Sequence, residues 1–123
     1  MARVLIVDDS PTETFKITEI LNKSGHQVLA ASGGEEGVAI AKKELPDLIL
    51  MDVVMPGING FQATRQITKN PSTSHIPVVI VTTKDQETDR MWGMRQGASS
   101  FLTKPINEKA LVQAVNDALA AGK

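Results

Sequence analysis

The chain contains no cysteine. Disulfides, thiol nucleophiles and cysteine-ligated metals are therefore excluded. It also lacks an excess of either charge: 13 Lys and Arg stand against 14 Asp and Glu, for a net charge of −1. That balance gives no electrostatic footprint for nucleic acid or an anionic membrane. Long apolar runs are missing as well. None approaches the roughly 20 residues of a membrane span. The N-terminus meets acid directly after Val4–Val7, too soon for a signal peptide. The expectation is a soluble, cytoplasmic protein with no nucleic-acid partner and no membrane insertion.

What is present is globular composition, 41% hydrophobic and 22% charged. A length of 123 residues suits one domain with one core, expected over residues 1–123. Two kinds of segment alternate. Val4–Val7, Val28–Ala31, Leu48–Met51, Val78–Val81 and Phe101–Leu102 are short aliphatic or β-branched runs. Such runs fit parallel strands buried on both faces; the fifth is weak and is assigned from its context. The stretches between have helical period. Ser10 caps the first helix, with Pro11 at its first position and Glu13 three residues after the cap, the spacing of a capping box. Ile17, Ile20 and Leu21 make its core stripe, and Gly25 ends it. The second helix runs from Gly34 to Glu44 and buries Val38 with Ile40 or Ala41. The third starts at Asn59 and uses Phe61, Ala63 or Thr64, and Ile67. The fourth spans Gln86 to Gln96, with Met91 and Met94 in the core and Trp92 partly exposed. The fifth starts at Asn107 and carries Leu111, Val115 and Leu119. Five βα units predict an α/β fold, a doubly wound parallel sheet with helices on both faces. The functional crevice of that architecture lies beyond the carboxyl ends of the strands.

The strand ends carry the chemistry. The first strand stops on Asp8 and Asp9, the third on Asp52, the fourth on Thr82 and Thr83, and the fifth on Lys104 before Pro105. Two carboxylates about 4 Å apart repel by ~1 kcal/mol in water and ~4 kcal/mol at an effective dielectric of 20. Three around one crevice need a cation. With no His or Cys nearby in sequence, oxygen-only ligation suits Mg²⁺. Three Asp, one Mg²⁺ and Lys104 sum to zero, so the loaded site can accept a phosphoryl dianion. A single Asp at a strand end is more often a turn former or cap. A pair, a third Asp, a Thr and a Lys at successive strand ends are far less easily explained that way.

These residues are recognisable. "VLIVDDS", "DLILMDVVMPGINGF", "VVIVTTKD" and "FLTKPI" resemble the receiver domain of two-component response regulators, in order and across essentially the whole chain. The chain looks like the stand-alone, chemotaxis-type members. "VDDSPTE", "NGFQATRQ" and "VTTKDQETDRMWGMRQGA" are most similar to a member that serves twitching motility. The resemblance implies a flavodoxin-like sheet of order 2-1-3-4-5. It makes Asp52 the phosphoacceptor. It gives Mg²⁺ to Asp9, Asp52 and the carbonyl of Val54, with Asp8 acting through water. Lys104 is to pair with the phosphoryl group, Thr82 to move onto it, and Phe101 to be the switch aromatic. A histidine kinase is the implied phosphodonor, and the face of the fourth helix, fifth strand and fifth helix the implied surface for a protein target. The chain is expected to be a monomer and no enzyme beyond its own phosphorylation and dephosphorylation. It drives an output or drains phosphate from a sister regulator. Two other classes fit less well. A haloacid-dehalogenase-like phosphohydrolase wants an Asp two residues after its nucleophile, where this chain has Val54. A flavin binder wants a Ser/Thr/Gly-rich loop after the first strand, where this chain has "DDSPTE".

Overall fold

The computed structural model describes residues 2–121. Among them, strands and helices alternate without exception: β1 (Arg3–Val7), α1 (Pro11–Lys23), β2 (Gln27–Ala31), α2 (Gly34–Glu44), β3 (Leu48–Met51), α3 (Gly60–Lys69), β4 (Val78–Thr82), α4 (Glu87–Arg95), β5 (Ser100–Thr103) and α5 (Glu108–Ala121). All strand pairs are parallel, in the order β2-β1-β3-β4-β5. The expected doubly wound sheet is present, and each predicted strand lies within an observed one.

Alternation along the strands sorts side chains into two cores. Val4, Ile6, Leu48, Leu50, Val79 and Val81 face Ile17, Ile20 and Leu21 of α1 and Leu111, Val115 and Ala118 of α5. Leu5, Val7, Ile49, Met51 and Val78 face Val38 and Ala41 of α2 and Ala63 and Ile67 of α3. Because both faces are covered, the three central strands read as unbroken apolar runs. A smaller cluster of Val53, Phe61, Ile80, Ala98 and Phe101 lies toward α4.

Local chemistry fixes the ends of the elements. The Ser10 hydroxyl accepts from the Glu13 N–H at 3.3 Å, with Pro11 at the start of α1. Gly25 follows that helix at φ 83°, a conformation that favours glycine. Asn59 and Gln62 reciprocate at the start of α3, each accepting a backbone N–H at 2.9 Å. Asn107 accepts from the Ala110 N–H at 2.9 Å at the start of α5.

Two expectations fail on the fourth helix. Met91 and Met94 are 54% and 49% exposed, not core residues. The buried residue of α4 is Gly93, which sits directly over Ile80 and Phe101. A helix this close to the sheet at its glycine leaves no depth for flanking Met side chains, so they turn outward. Trp92 is half-exposed, as its helical angle suggests. On α5, Ala118 is buried where Leu119 was expected, and Leu119 only packs against the core.

Candidate functional site

The sheet ladder extends into the loops at its carboxyl edge. The Asp8 N–H donates to Ala31 O at 3.1 Å, Asp52 N–H to Val7 O at 2.9 Å, and Lys104 N–H to Thr82 O at 2.7 Å. Asp8, Asp52 and Lys104 are thus held by the neighbouring strand's hydrogen bonding rather than by a free loop. The Lys104–Pro105 peptide is cis. Behind Asp52, the chain folds back so that Gly60 N–H donates to Val53 O at 3.0 Å. Gly60 lies so near the Asp52 carbonyl that a Cβ there would collide with it.

Asp8, Asp9 and Asp52 converge, each offering an oxygen within 4.8 Å of the others. Asp8 and Asp52 are buried, at 5% and 7% exposure, and Asp9 is open to solvent. The Lys104 ammonium donates to Asp8 Oδ2 at 2.8 Å and to Asp52 Oδ2 at 3.2 Å. The chain's own lysine therefore supplies part of the positive charge that the acidic strand ends require. The other Asp52 oxygen, Oδ1, accepts the Val53 N–H at 2.7 Å and more weakly the Val54 N–H at 3.4 Å. Asp8 Oδ1 accepts the Ser10 N–H at 2.9 Å.

Burial pushes the Asp8 carboxyl above its ordinary value, assisted by the charge of Asp52. The bonds from Lys104 and Ser10 reduce that rise without cancelling it. Burial also works against the charge on Lys104. Its hydrogen bond to Asp8 and the two nearby carboxylates outweigh that, and the ammonium is held above its ordinary value. Lys104 stays charged at neutral pH.

The remaining predicted residues stand around this centre. Thr82 is fully buried at the end of β4, and its hydroxyl accepts the Lys84 N–H at a long 3.4 Å. Phe101 is buried on β5, with the Arg90 guanidinium 5.2 Å from its ring centre. Val54 is 54% exposed at the rim. The donors clustered by the fold are all carboxylate oxygens, two buried and one facing solvent. That set fits a hard cation that keeps some of its waters, such as Mg²⁺.

One site residue escapes the sequence reading. Glu13 has the spacing of a capping-box acid, but half of the box is missing. The Ser10 N–H that its carboxylate would engage is taken by Asp8. Glu13 turns instead toward the crevice, with Oε1 3.9 Å from Lys104 Nζ. The available signal was positional: Glu13 lies in the first turn of a helix that begins at the carboxyl edge of the sheet.

Comparison with known proteins agrees with this geometry. Residues 4–116 match the response regulator receiver domain family. The chain is 64% identical over 120 residues to Protein PilH of Pseudomonas aeruginosa, covering 98% of this chain and 99% of that protein. It superposes on the chemotaxis protein CheY4 of Vibrio cholerae with a TM-score of 0.90 at 30% identity, covering 96% of this chain and 98% of the other. A receiver domain of a sensor histidine kinase from Pseudomonas aeruginosa gives a TM-score of 0.89 at 26% identity, covering 97% and 98%. That structure has a magnesium ion coordinated in its active-site cleft. With residues 4–116 of its 123 matching that family, the chain belongs to the response regulator receiver domains of two-component signalling.

Proposed function

We propose that the chain is a phosphorylation-switched binding module, with Asp52 as its phosphoacceptor. The observation that carries this is the buried Lys104 ammonium bridging Asp8 and Asp52. An Asp52 oxygen attacks the phosphorus of a histidine kinase's phosphohistidine. The P–O bond forms as the P–N bond breaks, and the imidazole leaves with the electron pair and takes up a proton. Lys104 faces the phosphoryl oxygens where negative charge spreads in the transition state. The N–H groups of Val53 and Val54 orient the carboxylate through Oδ1. Asp9, Asp52 and the Val54 carbonyl would hold Mg²⁺, with Asp8 acting through water. When bound, the ion neutralises negative charge on the phosphoryl oxygens.

Phosphorylation places roughly −1.5 to −2 charges between Thr82 and Lys104. The long bond from Lys84 to the Thr82 hydroxyl is readily given up. Movement of Thr82 toward the phosphoryl group frees space beside Ile80 and Phe101, on which α4 rests. The face of α4, β5 and α5 is then the surface read by a protein target. The chain has no substrate of its own and works as a cytoplasmic monomer without nucleic acid or membrane insertion. The pattern of "NGFQATRQ" and "VTTKDQETDRMWGMRQGA" supports a place in control of type IV pilus twitching motility or chemotaxis.

The test is phosphorylation by acetyl phosphate with and without Mg²⁺. The expected result is one phosphoryl group per chain, dependent on Mg²⁺ and abolished in Asp52→Asn. Unchanged labelling of that variant would overturn the assignment. Steady release of phosphate from small phosphomonoesters would favour a hydrolase instead.

A further inference from the structure

We propose that Glu13 is a positioning residue of the crevice, drawing a divalent cation in and holding the phosphoryl group off. The proposal rests on the phosphoacceptor reading given above. Its starting point is a carboxylate in an unsatisfied position. The Glu13 side chain is 26% exposed, yet its Oε1 is buried and has no hydrogen-bond partner among the described residues. Buried oxygens are normally bonded. The local partner available to Glu13 is already used, because the Ser10 N–H donates to Asp8. What Glu13 faces is the Lys104 ammonium at 3.9 Å, too far for a hydrogen bond but within electrostatic reach.

The ammonium carries three N–H groups. Two are committed to Asp8 and Asp52. Glu13 is therefore the third anionic neighbour of the same cation. A phosphoryl group on Asp52 would compete with it for Lys104. Charge gives the sign of the effect. Asp8, Asp9, Asp52 and Glu13 carry four negative charges, and Lys104 with a bound Mg²⁺ supplies three positive ones. Without Glu13 the loaded crevice is neutral; with it, one negative charge remains to oppose an incoming dianion. The same charge adds attraction for Mg²⁺. A helix-capping or packing role for Glu13 would alter stability and predicts neither change.

The experiment compares wild type, Glu13→Gln and Glu13→Asp by calorimetric titration, first with Mg²⁺ and then with beryllofluoride at saturating Mg²⁺. Removing the charge is expected to weaken Mg²⁺ and tighten beryllofluoride, each about fivefold, the scale of a partly exposed charge nearby. Glu13→Asp keeps the charge and should stay near wild type in both titrations. Thermal unfolding of all three reports any general loss of structure. Opposite shifts that follow the charge support the proposal. Equal affinities, or two shifts of the same sign, overturn it. If wild type binds no beryllofluoride, the phosphoacceptor reading itself fails, and the proposal with it. If wild type binds and Glu13→Gln binds no better, the proposal alone fails.

Discussion

Helices α3 and α4 pack beside each other on one face of the sheet, and their lengths are similar, 10 and 9 residues. They are held in different ways. α3 buries Gly60, Phe61, Ala63, Thr64 and Ile67, and its first turn is closed by the reciprocal Asn59 and Gln62 bonds. α4 buries Gly93 and leaves Met91, Trp92 and Met94 half-exposed. At its first turn the Gln86 N–H reaches Asp89 Oδ2 at 3.3 Å. Arg90 adds a second tie, donating to Phe101 O at 3.3 Å and covering the Phe101 ring. Just past the helix's C-terminal end, the Thr68 hydroxyl of α3 donates to Gln96 O at 2.6 Å. A fully buried large aliphatic or aromatic side chain stabilises by about 1.5–3 kcal/mol. α3 has two such anchors in Phe61 and Ile67, and α4 has none. The helix next to the proposed phosphoacceptor is part of the core, while the helix beyond Thr82 only rests on it. A low-stability element suits the proposed output face, because little must be broken to move it.

Glycine substitution gives the largest contrast. In Gly60→Ala, the new Cβ meets the Asp52 backbone, which cannot yield without moving the site. The expected cost is about 3 kcal/mol or more in urea denaturation, with loss of phosphorylation. In Gly93→Ala, the Cβ meets Ile80 Cδ1 at 2.8 Å and the Phe101 ring at 3.2 Å. Those are side chains that can shift, and Ala gains about 1 kcal/mol of helix propensity over Gly. The net change should lie within about 1 kcal/mol. Equal costs at the two positions would break the comparison.

Truncation of the apolar positions should give the same ranking. Ile67→Ala removes a fully buried side chain and should cost about 2–5 kcal/mol. Met94→Ala removes one that is half in water, and its cost should stay within about 0.5 kcal/mol. Chemical denaturation of both variants under one set of conditions checks this.

These differences also mark how far the sequence could be read. Strand positions were legible because burial on both faces forces continuous apolar runs, as in Leu48–Met51. The acidic cluster was legible because Asp8, Asp9, Asp52 and Lys104 all stand at strand ends, and a parallel sheet brings those ends together. Met91 and Met94 were misread because hydrophobic spacing reports which residues share a face and not how deep the helix lies. That depth was set by Gly93, a residue with no side chain to register in the pattern. Glu13 was missed for the opposite reason. Its spacing from Ser10 satisfied a local rule, and only the competing bond from Ser10 to Asp8 shows that the rule was not used.

Charge separates the two regions as well. The crevice beside α3 concentrates buried charge, whereas Glu87, Arg90 and Arg95 of α4 are exposed. Because the Asp8 carboxyl titrates above its ordinary value in the folded state, its ionised form costs stability at neutral pH. That cost is relieved as pH falls through the raised value. Lys104, held above its ordinary value, contributes stability below about pH 10.5, lost as pH climbs past its folded-state value. Asp8→Asn in EDTA is therefore expected to be more stable than wild type at pH 7. The gap should close on acidification, and Mg²⁺ should stabilise wild type more than the variant. Thermal melts across pH with and without Mg²⁺ measure both. A gap that widens toward acid would have the wrong sign.

The smallest effects concern two hydroxyls. Thr64 Oγ1 on α3 and Thr103 Oγ1 on β5 are buried with no hydrogen-bond partner among the described residues. An unsatisfied buried hydroxyl costs about 1 kcal/mol or more, and replacement by a group of the same shape relieves that cost. Thr64→Val and Thr103→Val should each raise stability, by about 0.5–1 kcal/mol. Their surroundings differ. Thr64 belongs to the anchored helix, while Thr103 pairs in register with Thr82, the residue proposed to move on phosphorylation. Trp92 fluorescence, read with Mg²⁺ alone and then with beryllofluoride, distinguishes them. Mg²⁺ alone should change it little in either variant, since Trp92 lies on α4 and not beside the acidic cluster. Beryllofluoride should give Thr64→Val the wild-type response. It should give Thr103→Val an altered midpoint, because the strand position beside the moving Thr82 has changed. Identical midpoints in the two variants would mean that β5 and α4 are held as firmly as α3, and the contrast between the two helices would no longer stand.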